Sequence, residues 1–325
     1  MKDRRRFQVH SRAIITSLAA LFVSTASLIL FLLASTNGAY GRYPTSLQET
    51  VQPEASGVAA AEPLTSAAYL PMVTKNFVQP APLWRFGAAI NRRTMPDYFP
   101  ADLARLRLGW YMNWTAALDA PTPSGMEYVP MVRIKQWKID GSGEWTDRSC
   151  PGCPYVAPPV HPHTYTVSPS RSTIKAIARS NPGMLWVLGN EIERVDWGEG
   201  GRQDEILPEL YAEAYHNLYH LIKAEDPTAK IANGSVIQAT PLRLQYLERV
   251  WDAYGRKFPP YAPMPVDVWN VHAFVLQEKR GETEWGAAIP AGFDDIDEGI
   301  LYRVEDNKDF SIAWSHICEM RQWMK

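Results

Sequence analysis

Residues 185–191 read Leu-Trp-Val-Leu-Gly-Asn-Glu. Four apolar side chains in unbroken succession do not alternate as a half-exposed strand would. They suit a strand covered on both faces, the usual situation in a parallel sheet. Gly189 then breaks the run, and Asn190 and Glu191 place an amide and a carboxylate side by side at the C-terminal end of the strand.

The flanking segments carry helical periodicity. Ser172–Ser180 opens with Ser-Thr capping chemistry. Asp204–Ala224 carries Leu207, Leu210, Tyr211, Ala214, Tyr215, Leu218 and Leu221 on one stripe, and Asp226-Pro227 ends it. Leu242–Tyr254 repeats the stripe, and a last helical stretch covers about 307–325. Five more apolar runs share the character of 185–191. They are Leu83–Ile90, Leu106–Trp114, Glu127–Trp137, Lys230–Gln238 and Val266–Phe274. Long loops separate some of them, at 138–171 and 276–305.

Strands alternating with helices imply βαβ units and a parallel sheet. A doubly wound sheet and a (β/α)8 barrel both satisfy this. Gly87 stands alone after the first run, so no dinucleotide fingerprint is present. Polar and aromatic residues gather at the strand C-terminal ends, where barrels place their chemistry. The sequence therefore predicts an α/β fold, an incomplete (β/α)8 TIM-type barrel with about six βα units over residues 83–325. The last two units are missing from the count. That leaves an open sheet edge at the sixth strand and an exposed apolar face beside it.

Composition narrows the function. The 325 residues carry a formal charge of −2, which provides no field for nucleic acid. Three cysteines exclude a disulfide-dense scaffold. Cys150 and Cys153, with His161 and His163 nearby, could form a local disulfide or a zinc site, the disulfide being favoured. Cys318 is expected to be a buried small hydrophobe. Twelve Trp residues invite a search for an aromatic-lined cleft.

Residues 1–42 read as a signal peptide or N-terminal membrane anchor. Lys2, Arg4, Arg5, Arg6 and Arg12 precede the uncharged stretch 13–36, which is as long as a bilayer-spanning segment. The basic flank stays on the cytoplasmic side and the remainder is exported. Localisation is expected to be extracellular or at the cell surface, with membrane contact only through 13–36 if that segment is retained. Residues 43–82 form a Pro/Ala-rich linker.

A carboxylate at the mouth of a barrel is one half of what glycoside cleavage needs, since a second carboxylate must attack the sugar or activate water. With Asn190-Glu191 ending the fourth strand, the chain resembles the retaining (β/α)8-barrel glycoside hydrolases of clan A. The resemblance implies Glu191 as acid/base and Asn190 bonding the substrate. Ile192 follows where many members carry Pro. By the same resemblance His272, near the end of strand six, orients the nucleophile or touches the sugar, and Arg107 on strand two bonds the nucleophile. Trp110, Trp114 and Trp137, at the ends of strands two and three, are candidate sugar-stacking faces. The family's nucleophile ends strand seven. Glu193, Asp196, Glu278, Glu282 and Glu284 lie near strand ends, but none follows a strand as a nucleophile would. The expectation is an exported glycosidase-like protein that uses neither metal nor organic cofactor and is inactive alone. Its partner is a carbohydrate, and a complementing C-terminal polypeptide could supply the missing units. The alternative is a non-catalytic carbohydrate-binding or cell-surface protein. In both readings the Asn190 and Glu191 side chains open into a sugar-sized groove.

Overall fold

The computed structural model describes residues 29–33, 86–90, 108–122, 126–156, 164–195, 202–282 and 285–325. The linker 43–82, Arg107, His161, His163, Asp196 and Glu284 lie outside the described residues, as does most of the export segment.

The strands are β1 (Ile29–Leu33), β2 (Gly87–Ala89), β3 (Trp110–Met112), β4 (Glu127–Tyr128), β5 (Met131–Gln136), β6 (Lys138–Ile139), β7 (Trp145–Thr146), β8 (Tyr165–Ser168), β9 (Leu185–Leu188), β10 (Lys230–Asn233) and β11 (Val268–His272). Helices α1 (Arg171–Ser180), α2 (Pro208–Glu225), α3 (Pro241–Lys257) and α4 (Phe310–Trp323) lie among them. β2 pairs with β3 and β3 with β4, all parallel. β5 pairs with β9, β9 with β10 and β10 with β11, again parallel. The six apolar runs are therefore neighbours in chain order.

The third run divides. Pro130 has no N–H to give to a ladder, and the chain changes partners there. Val129 N–H donates to Tyr111 O, and Pro130 O accepts from Val187 N–H. Run three thus ties β3 on one side to β9 on the other. The loop expected over 138–171 contains structure of its own. β6 and β7 form a hairpin, and β8 lies antiparallel to β5 on the side away from β9.

The sheet is α/β with a parallel core, but the described strands do not close into a barrel. The outer edge of β11 is taken by β1, which runs antiparallel from Ile29 opposite His272 to Leu33 opposite Val268. Part of the segment read as an export signal is therefore an extended edge strand, and the edge expected to be open is covered. No helix among the described residues is long and apolar enough to cross a membrane.

The helices follow the predicted stripes. Ser170 Oγ accepts from Thr173 N–H and starts α1. Pro208 and Pro241 occupy the first turns of α2 and α3, where a missing N–H costs nothing. Pro208 also delays α2 by four residues relative to the periodicity, which frees Asp204 for another use. Ile174, Tyr211, Tyr215, Leu218, Tyr246, Leu247 and Val250 pack with Val132, Trp186, Leu188, Ile231 and Val271 in one buried cluster. The alternate residues Met131, Val187, Ala232 and Val268 form a second cluster with Met112 and Val129 on the opposite face. Burial on both faces is what the unbroken apolar runs require.

Beyond β11, Phe310 is 88% and Trp314 61% exposed on α4, with Leu301 and Val304 also exposed. Cys318 is exposed as well, contrary to expectation. It falls on the outer side of α4, whereas His316, Ile317 and Met320 are the buried positions of that helix.

Candidate functional site

The chemistry collects at the C-terminal ends of β5, β9 and β11. Val268 belongs to the second cluster, so the period of two puts Asn270 and His272 on the same face. Met131 does the same for Arg133 on β5. Tyr211 of α2 ties two strand ends together: its hydroxyl donates to Leu188 O at 2.7 Å and accepts from Gly234 N–H at 2.6 Å.

After β9 the chain turns sharply. Gly189 has φ +106° and Glu191 φ +49°. The left-handed conformation is unfavourable for Glu, and such strain is characteristic of functional positions. Ile192 explains the turn. A Cβ on Gly189 would lie 2.5 Å from Ile192 Cγ2, and one on Gly234 would lie 2.4 Å from the same atom. The fully buried Ile192 side chain thus wedges between two glycines and aims Glu191 back over the sheet. Glu191 N–H donates to Ser235 Oγ at 3.2 Å, and Ile192 N–H to Ser235 O at 3.1 Å.

Glu191 is brought to His272 as expected, and also to a residue the sequence reading missed. Its Oε1 lies 3.2 Å from His272 Nδ1, and its Oε2 accepts from Arg194 Nη1 at 2.8 Å. Burial pushes the Glu191 carboxyl up, but the Arg194 guanidinium and the His272 hydrogen bond outweigh it and hold the group at about 2. Asn190 N–H donates to Asp204 Oδ2 at 2.9 Å, and Asn190 Nδ2 to Gln203 Oε1 at 2.9 Å. Arg133 Nε reaches both Asp204 oxygens, at 2.8 and 2.9 Å. Arg133, Arg194, Gln203, Asp204 and Ser235 carry no motif. Only the strand-end position of Arg133 on run three could have drawn attention to it.

Asn190 and Glu191 do not open into a groove as expected. They are 2% and 5% exposed, because the carboxylate folds inward onto its two cationic or hydrogen-bonding partners. Asn190 Oδ1, His272 Nε2 and both polar atoms of Asn270 are buried without a hydrogen-bond partner among the described residues.

Of the three tryptophans, Trp110 and Trp114 pack half-buried against the second cluster. Gly87 leaves room for the Trp110 ring, since a Cβ there would lie 2.0 Å from it. Trp114 sits at φ +55° beyond the end of β3. Trp137 faces Trp145 across the β6–β7 hairpin, with ring centroids 6.2 Å apart.

Other carboxylates near the strand ends are committed elsewhere. Glu193 is fully buried, not a decoration of its loop: Arg243 Nη1 meets it at 2.6 Å and Arg243 Nε meets Glu278 at 2.8 Å, all three side chains fully buried. Burial raises the Glu193 carboxyl despite that guanidinium. Asp204 is held by Arg133, and Glu205 by Lys138 at 2.9 Å. Glu282 accepts from Gln277 Nε2. Cys150 and Cys153 form the favoured disulfide, and no cluster of three metal-ligating side chains occurs among the described residues.

Comparison with known proteins supplies no relative: no family model, no curated protein and no solved structure matches the chain.

Proposed function

We propose that this chain is an exported glycoside hydrolase-like protein built on an incomplete (β/α)8 barrel, acting on O-glycosidic bonds of a poly- or oligosaccharide. One observation carries the reading. A buried glutamate in left-handed backbone, with an Asn before it, stands at the C-terminal end of the fourth of six parallel runs that are neighbours in chain order. That is where barrel chemistry lies, and a neighbouring strand end provides His272. In a retaining two-carboxylate mechanism Glu191 acts as acid/base and Asn190 holds a sugar hydroxyl. The nucleophile would come from a complementing polypeptide. Residues 13–36 account for export and for any membrane contact.

The second reading is a carbohydrate-binding protein without hydrolysis, and the ionised state of Glu191 favours it. A general acid must hold its proton near working pH, whereas Arg194 keeps this carboxyl at about 2. A second carboxylate close by would raise it, because like charges disfavour ionisation.

Hydrolysis of unactivated oligosaccharides and of aryl glycosides by the full chain separates the two. If Glu191 is the acid/base, Glu191→Gln lowers turnover of poor leaving groups by about 10²–10⁴-fold and spares good ones. Equal activity of both proteins removes Glu191 from the chemistry. Sugar binding without turnover supports the second reading.

A further inference from the structure

Two hydrogen-bond relays fix the polarity of the unpartnered atoms beside Glu191. The first begins at Arg133, whose guanidinium can only donate. Arg133 Nη2 reaches Gln203 Oε1 at 3.4 Å, so the amide oxygen of Gln203 faces this way. Asn190 must then present its own donor, Nδ2, to the same oxygen at 2.9 Å. That orientation leaves Asn190 Oδ1 as the buried atom with no donor among the described residues. The second relay begins at Arg194. Its bond to Glu191 Oε2 at 2.8 Å keeps the carboxylate ionised, and a carboxylate only accepts. His272 Nδ1 therefore donates to Oε1, and the Nε2 of the neutral ring is a bare acceptor, also buried and without a donor among the described residues.

A buried acceptor left without a donor costs about 1–3 kcal/mol. What both positions lack is an O–H group. An acidic sugar would gain little from the nearby cations, because Arg133 is paired with Asp204 and Arg194 with Glu191. Its carboxylate would bring further acceptors to two acceptors. The Glu191 and Arg194 side chains keep 6% and 10% exposure, which marks the side of approach.

We infer that the ligand of this site is a neutral, hydroxyl-bearing sugar that donates hydrogen bonds to Asn190 Oδ1 and His272 Nε2, with Gln203 as the positioning residue that orients Asn190. This rests on the saccharide reading above. The test titrates the full chain, by calorimetry or NMR at one pH and ionic strength, with two sets of probes. Cello-, xylo- and manno-oligosaccharides form the neutral set, and oligogalacturonates and oligoalginates the acidic set. The best neutral probe should bind about tenfold or more tighter than the best acidic one. Gln203→Leu should erase most of that preference, and Gln203→Glu, which keeps an oxygen toward both Arg133 and Asn190, should restore it. Acidic probes binding as well as neutral ones overturn the inference and leave the saccharide reading standing. Binding by neither set overturns both. An unchanged preference in a folded Gln203→Leu protein removes Gln203 from the positioning role. The wild-type comparison decides the ligand class even if that variant does not fold.

Discussion

At the scale of the residue, the site turns on one carboxylate whose charge state is set by its neighbours. Glu191 is nearly inaccessible to water, yet its group is held at about 2 by Arg194 and His272. A depressed carboxyl stabilises the fold at pH values above its ordinary range near 4.5, and that contribution is lost as pH falls toward 2. The magnitude is about 3 kcal/mol. Urea unfolding at pH 7, 4.5, 3 and 2 should show this loss in the wild type. Glu191→Gln should be less stable at pH 7, because Arg194 loses its anion, and should fall less steeply on acidification. Parallel pH curves for the two proteins would contradict the ion pair. Glu191 and Asn190 were legible in the sequence because a strand ends on them. Arg194 and Gln203 were not, since a loop brings them in and loop paths leave no periodic trace.

At the scale of the element, the loops after β9 and β11 are clamped to the first turns of α3. Arg243 binds Glu193 from one loop and Glu278 and Ala288 O from the other, and Thr240 Oγ1 donates to Glu278 at 2.6 Å. Removing the cation strands two buried carboxylates. Arg243→Met should therefore destabilise the protein by about 3–5 kcal/mol in urea unfolding. A loss under 1 kcal/mol would show that the loops are held by their apolar contacts instead. The strand-helix alternation was readable from unbroken apolar runs and from 3–4 stripes. The division of run three at Pro130 and the pairing of β8 with β5 were not. Both depend on which partner is within reach, a property of assembled strands and not of any one segment.

At the scale of the molecule, β9 and β10 are each flanked by strands on both sides and by helices α1–α3 on one face. β2 and β3 join this unit only through the end of β4. Native-state hydrogen exchange should be slowest at 185–188 and 230–233. At 87–89 and 110–112 it should be faster by about tenfold or more, and faster still around the exposed 141–144 turn of the β6–β7 hairpin. Slower exchange in β2 and β3 than in β9 and β10 would place the stable unit elsewhere.

The sequence by itself determined the identity of the strands and helices, their parallel neighbour order, and the residue at which the central strand delivers a carboxylate. These follow from local rules: periodicity, caps and prolines act within a few residues of where they stand. Only the tertiary structure decided that the carboxylate is buried against Arg194 and His272, that Asn190 presents an acceptor, and that the edge of β11 is covered by Ile29–Leu33. Those outcomes depend on charges and backbone groups distant in sequence meeting in a low-dielectric interior, where a single partner fixes both the ionisation and the hydrogen-bond polarity of its neighbour.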